Sequence, residues 1–360
     1  MRYRELGRTG LKVSAVGFGC IKFREVPEEE VTRAVRRAVE LGVNYFDTAN
    51  SYHDSEEKLG KAIEGMRDKV IISSKTYARE AQGAWEHIEL SRERMGVDYI
   101  DIYMLHSVSD GETYRKVTSP GGALEALEEA KVKGVIGHIG ASIHRDLRTM
   151  EEAILSGKFE MVMLAYSPLD QEGVAPRILP MAKEQGVGVA IMKPLSGGQL
   201  SSPPGCLPEA EPDPIVRGSL RFVLSNPAVS TVIPGMTCVR EVEENVPVAD
   251  MPPLSEEEKD ELIRKIGSLG KEFRYGQRCL RCWYCQPCPQ GVVIPEVFRA
   301  WDMYRDYPDD LKYLGLELYR SLEVKPDECV ECRECTEKCP AGLDIPNLLK
   351  EAMEALEGAM

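Results

Sequence analysis

Between residues 14 and 235, short runs rich in β-branched and apolar residues alternate with segments whose apolar residues recur every three to four positions. The strand-like runs are 14–19, 44–49, 70–75, 99–106, 136–142, 161–167, 188–195 and 230–235. The helical spacing falls on 28–41, 57–64, 84–95, 124–133, 147–156, 177–185 and 214–224. Gly42, Gly96, Gly134 and Gly186 stand at helix-to-strand joints, where a left-handed backbone ends a helix best. Eight strand–helix repeats of this length predict an α/β chain closed into a (β/α)8 TIM barrel. An open doubly wound sheet would carry GxGxxG after its first strand, and Gly17-Phe18-Gly19 is only a fragment of that motif. A short hairpin over 3–13, turning at Arg8-Thr9-Gly10, precedes the repeats.

Chemistry in such barrels sits at the carboxyl ends of the strands. Asp47 falls at the end of the second strand, with Tyr52 five residues on. Lys75 ends the third strand and His106 the fourth. A lone buried carboxylate is costly, so packing explains Asp47 poorly. A phenol titrates at about 10, roughly three units above neutrality, and donates a proton only beside a cation. Taken singly, a strand-end lysine reads as a solvated cap and a histidine as a core residue. Four chemically matched groups on consecutive strand ends read as a functional constellation.

The stretches YRELGRTGLKVSAVGFG, FDTANSYHDSEEKLG, ISSKT and DIYMLH, in this order and spacing, resemble the aldo-keto reductases over about the first 245 residues. The resemblance implies that Tyr52 is the general acid of a hydride transfer from nicotinamide to a small carbonyl substrate. It implies that Lys75 lowers the phenol's pKa, that Asp47 holds Lys75 charged, and that His106 orients the carbonyl. His53, His87, His138 and His144 take structural readings. For the nucleotide, Lys193 to Leu200 forms a glycine-rich loop suited to a pyrophosphate, with Lys193, Leu195, Ser196 and Gly198 as candidate contacts. Gly19 and Cys20 at the first strand end and Ser142 at the amide join them, and Gly235, Thr237, Arg240, Glu244 and Asn245 resemble the adenosine segment. Gly235 and Glu241 replace the lysine and arginine that hold a 2′-phosphate, and Arg240 lies beside them, which leaves both NADPH and NADH open. Ile143 and Met163 stand where the family places Asn and Gln against the carboxamide, and Met192 where a tyrosine stacks on nicotinamide.

Eight of the eleven cysteines crowd into residues 279 to 339, while Cys20, Cys206 and Cys238 are scattered. Clustering of this kind reads as a metal site in a reducing compartment. Cys329, Cys332, Cys335 and Cys339-Pro340 spell CxxCxxCxxxCP, and Cys279, Cys282, Cys285 and Cys288-Pro289 repeat it with one residue fewer. The pattern is that of bacterial-type iron–sulfur proteins, in which the fourth cysteine serves the other cluster. This assigns Cys279, Cys282, Cys285 and Cys339 to one 4Fe–4S cluster, and Cys329, Cys332, Cys335 and Cys288 to a second. Two zinc sites of four thiolates each are the competing reading. Helical patterns at 297–307 and 310–322 separate the runs, so the tail resembles an α-helical ferredoxin. The expected organisation is a barrel over 1–250, a linker helix over 251–275 and an iron–sulfur domain over 276–360.

A formal charge of −14 excludes nucleic acid and anionic membranes as partners. No run of 18 apolar residues exists, and MRYRELGRTG has no signal-peptide core, which points to the cytoplasm. Residues 276–360 hold ten Lys/Arg and sixteen Asp/Glu, a net of −6, which suits a basic redox partner or simply a solvated surface. Three readings follow. One is a carbonyl reductase whose clusters exchange electrons with a partner. The others are a reductase with structural clusters, and a nucleotide-binding redox sensor without turnover. Nicotinamide moves two electrons and each cluster one, so the first asks for a mediating flavin, on a partner or near Met163 and Met192.

Overall fold

The computed structural model describes residues 1–108, 110–144, 146–169, 173–198, 200, 214–268, 279–306, 309 and 312–359. Ten strands form. β1 (Tyr3–Glu5) and β2 (Lys12–Ser14) pair antiparallel as the opening hairpin. The parallel sheet takes its strands in chain order: β3 (Phe18–Gly19), β4 (Tyr45–Asp47), β5 (Ile71–Thr76), β6 (Ile100–Leu105), β7 (Ile136–Ile143), β8 (Met161–Ala165), β9 (Gly188–Met192) and β10 (Thr231–Ile233). Its two edges meet: Gly17 N–H donates to Val232 O and Gly19 N–H to Pro234 O, each at 2.9 Å. The sheet is therefore a closed barrel, as the eightfold alternation predicts. The seam is tight at Gly19, where a Cβ would lie 3.0 Å from the Ile233 carbonyl oxygen.

The barrel interior is filled by Tyr45, Ile102, Met104, Met161, Met163 and Ala190, with Leu6 and Val13 of the hairpin packed against them. The hairpin thus seals one end with apolar surface. Gly7, at φ +54°, passes so close that a Cβ would stand 2.1 Å from Gly188 N. Helices wrap the sheet with one apolar face inward. In Glu28–Glu40 the buried Val31, Ala34, Val35 and Ala38 repeat at helical spacing, and Glu28, Glu29 and Glu30 sit at the amino end, where the helix dipole favours anions.

Two segments differ from the sequence reading. Residues 107–122, to which the sequence reading assigns neither strand nor helix, contain the helix Gly111–Thr118, which Asp110 caps by accepting from Thr113 N–H at 2.7 Å. The helix Glu256–Ser268, read as a linker, packs on the barrel: Leu262 lies where a Cβ on Gly218 would meet it at 2.8 Å, and Leu262 and Ile266 are buried. Residues 201–213, with Cys206, lie outside the described residues. The barrel unit comprises Met1–Leu195 and Pro212–Ile266, and the second unit Ser196–Glu211 and Gly267–Met360. Among the described residues no helix is long and apolar enough to cross a membrane.

At the barrel's other polar cluster, Glu160 accepts from His138 Nδ1 at 2.7 Å and from Ile139 N–H at 3.1 Å, and Lys131 pairs with it. Burial works against the Glu160 charge, but His138, Lys131 and the amide outweigh it and hold the carboxyl at about 2, against 4.5 ordinarily. A folded value below the unfolded one stabilises above pH 4.5 and is lost as pH falls towards 2. Glu160→Gln is expected to flatten the fall of the urea midpoint between about pH 5 and 2; an unaltered pH dependence would refute the assignment.

In the second unit, Ile294–Asp306 and Ile345–Glu357 each open on Ile-Pro, six residues after Cys288 and Cys339 respectively. Tyr313–Ser321 lies between them. Val292 and Ile294, four and six residues after Cys288, share one core with Leu343 and Ile345, at the same offsets after Cys339. The segments after the two cysteine runs thus repeat one pattern.

Candidate active site and iron–sulfur centre

Asp47, Lys75 and His106 come from the carboxyl ends of β4, β5 and the turn after β6, and Tyr52 from the turn after β4. All four are buried, with Tyr52 retaining 8% exposure. Lys75 Nζ donates to Asp47 Oδ2 at 2.7 Å and to Thr48 O at 2.6 Å, and lies 5.1 Å from the Tyr52 ring centroid. Ser73 Oγ donates to the other Asp47 oxygen at 3.1 Å. The rings of Tyr52 and His106 meet edge to face, centroids 5.6 Å apart. The structure therefore brings the four residues together on one rim.

The electrostatics follow from burial. Burial lifts the Asp47 carboxyl above its usual range, against the pull of Lys75 and Ser73. Burial also works against the Lys75 ammonium, but Asp47 and the Tyr52 phenol outweigh it and hold the lysine above its usual value. Burial, then the Lys75, Arg79 and Lys193 cations, push the His106 imidazole well down. His106 is thus neutral near pH 7, with Nδ1 3.3 Å from Ser51 Oγ. Met163 is packed in the barrel interior at 1% exposure, and Met192 is half-buried at its edge.

The candidate nucleotide contacts are distributed more widely. Cys20 is fully buried, donates its N–H to Asp47 O at 2.8 Å, and burial pushes its thiol well up. Ser142 Oγ accepts from Ser107 N–H at 2.8 Å, tying the turn after β6 to β7. Lys193 and Leu195 are half-buried in the barrel unit, whereas Ser196 and Gly198 group with the second unit. Lys193, Ser196 and Gly198 take left-handed backbones at φ +57°, +49° and +97°; Gln199 lies outside the described residues. Gly235 is exposed. The N–H and hydroxyl of Thr237 both donate to Glu241 Oε2, at 2.5 and 2.9 Å, and Arg240 Nε to Glu244 Oε1 at 2.7 Å. Asn245 is buried on the helix Val239–Asn245.

The cysteines occupy two loops of like backbone. Arg281 and Trp283, two and four residues after Cys279, have φ +49° and +64°; Glu331 and Arg333, at the same offsets from Cys329, have +55° and +64°. Left-handed non-glycine residues are strained, and such strain collects at functional sites. Cys288, Cys329, Cys332 and Cys335 line one cavity, together with Cys285. Burial pushes the Cys279 and Cys285 thiols up, and Cys282, with Cys339 also acting on Cys285, pushes them further. Thiolates gathered this closely need a cationic centre, which iron supplies; the donor set fits. Among the described residues no three converge on a single-ion site.

Residues 15–204 match the model of the aldo/keto reductase family, more than half of the chain. The chain belongs to the aldo/keto reductase family. Residues 278–343 match a 4Fe-4S dicluster domain. An L-galactose dehydrogenase of Arabidopsis thaliana is 31% identical over 278 residues, 68% of this chain and 86% of its own. The uncharacterized oxidoreductase YqkF of Bacillus subtilis is 28% identical over 315 residues, 76% and 98% of the two chains. The holo form of the aldo-keto reductase AKR11C1 from Bacillus halodurans superposes with a TM-score of 0.62 at 28% identity, covering 74% of this chain and 96% of that one. The protein is accordingly an NAD(P)H-dependent aldo/keto reductase oxidoreductase with an iron–sulfur domain.

Three residues of this reductase's site escape the motif reading. Ser73 precedes Lys75 by two on β5, so both point to one face, and that alternation is a legible signal. Ser51 and Arg79 give none. Arg79 Nη1 and Nη2 donate to the carbonyls of His106 (2.7 Å) and Ser107 (3.1 Å), contacts set by the meeting of two turns.

Proposed function

We propose that this aldo/keto reductase reduces a small aldehyde or ketone with NADPH or NADH, Tyr52 acting as the general acid. We propose also that it holds two 4Fe–4S clusters which pass single electrons to or from a basic redox partner. The observation carrying the first part is the buried Lys75 ammonium, clamped on Asp47 at 2.7 Å and facing the Tyr52 ring at 5.1 Å. When bound, the nicotinamide supplies the hydride. Tyr52 gives its hydroxyl proton to the carbonyl oxygen, and the phenolate left behind is stabilised by Lys75 in a water-poor pocket. Neutral His106 donates a hydrogen bond to the same oxygen without adding charge. Asp47 keeps the ammonium charged and fixed, and Ser73 fixes Asp47.

Cys279, Cys282, Cys285 and Cys339 would hold one cluster, and Cys329, Cys332, Cys335 and Cys288 the other. The clusters supply one-electron exchange. A flavin that mediates between hydride and single electrons would sit on the partner or beside Met163 and Met192, of which Met163 is buried and Met192 half-buried. Anaerobic purification is expected to give about eight irons per chain and absorbance at about 400 nm that dithionite bleaches. Zinc in place of iron would overturn the electron-transfer part. Turnover of a simple aldehyde with NADPH or NADH tests the rest, and binding of nucleotide without turnover would sink it.

A further inference from the structure

Two charged residues that this mechanism does not use meet beneath the catalytic rim. Glu56 is fully buried on the helix Ser55–Ala62, and Arg94 reaches it from the helix Ala81–Met95. Arg94 Nη1 donates to the Asn50 carbonyl at 3.0 Å and approaches Glu56 Oε2 at 3.4 Å, while its Nε lies 3.1 Å from Glu57 Oε1. The other Glu56 oxygen accepts from Ser74 Oγ at 2.6 Å. Asn50 is tied further: its N–H donates to the Lys75 carbonyl at 3.1 Å, and its side-chain amide to Ser91 Oγ at 3.5 Å. Asn50 precedes Tyr52 by two residues, and Ser74 precedes Lys75 by one. The pair therefore grips the loop that carries the phenol and the strand that carries the ammonium.

We propose that Glu56 and Arg94 are positioning residues that hold the Tyr52 phenol against Lys75 and thereby set its acidity; this rests on the reading of Tyr52 as the proton donor. The attraction between ammonium and phenolate falls with distance. Loss of the grip lets the loop drift, weakens that attraction and makes the phenol a weaker acid. A misplacement of about 1 Å is worth roughly a hundredfold in rate.

The test compares Arg94→Met and Glu56→Gln in the full-length, cluster-loaded enzyme. In each, kcat is expected to fall about tenfold to a hundredfold. Nucleotide affinity by fluorescence titration stays unchanged, and the alkaline limb of the kcat profile, where the donor loses its proton, moves to higher pH. Arg94→Lys keeps a donor for the Asn50 carbonyl and restores most of the rate. If the variants only lower the urea midpoint and leave the limb in place, or keep their full kcat, the positioning role is overturned. Tyr52→Phe separates the two layers. A dead Tyr52→Phe beside fully active Arg94→Met and Glu56→Gln removes the positioning role alone, whereas an active Tyr52→Phe removes the reading on which it rests.

Discussion

Tyr52→Phe loses carbonyl reduction by about a hundredfold to ten-thousandfold, the usual worth of a placed proton donor, while it binds nucleotide as the parent does. The substitution removes one oxygen from a ring that is almost wholly buried, and leaves its contacts with His106 and Lys75 in place. The loss therefore falls on kcat. Steady-state rates with a simple aldehyde, set beside a fluorescence titration with NADPH or NADH, measure the two quantities. A variant that still turns over at the parent rate would mean that the proton comes from elsewhere.

Lys75→Met leaves the Asp47 carboxylate buried without its cation, and breaking such a pair costs about 3–5 kcal/mol. The same substitution removes the donor to the Thr48 carbonyl. Urea denaturation should register the loss, and it should deepen as pH rises. Without Lys75, burial holds the folded Asp47 carboxyl above its unfolded value, so its protonated form stabilises at low pH and that contribution fades on ionisation. Asp47→Asn combined with Lys75→Met recovers much of the stability, because neither charge is then stranded, but recovers no activity. A Lys75→Met protein as stable as the parent across the pH range would show that the pair is not buried as described.

Much of this was legible along the chain because it depends on local spacing. Each of the eight apolar runs overlaps its strand, though β3 takes up only the last two residues of 14–19 and β9 stops at Met192, and their alternation with helices left a closed barrel as the natural way to bury both faces. Asp47, Lys75 and His106 could be placed on one rim because each ends a strand. The cysteine runs and the two Ile-Pro steps declared the symmetric halves of the second unit. The helix Gly111–Thr118 leaves little trace along the chain, since its amphipathic pattern covers barely two turns before Ser119-Pro120-Gly121-Gly122. The helix Glu256–Ser268 looked like a linker because its core-facing residues are sparse, and only the cleft beside Gly218 shows what Leu262 covers.

By itself the sequence determined the barrel, the order of the four rim residues and the two cysteine runs of the 4Fe-4S dicluster domain, since periodicity and fixed spacing are properties of a single chain. Tertiary structure alone decided that Ser51 and Arg79 surround His106, and that Arg94 crosses from one helix to hold the loop of Tyr52. Those contacts join residues far apart in the chain through backbone carbonyls and buried charges. Which carbonyl a guanidinium reaches depends on how two packed elements meet, and no pattern of residue types along one strand encodes that distance.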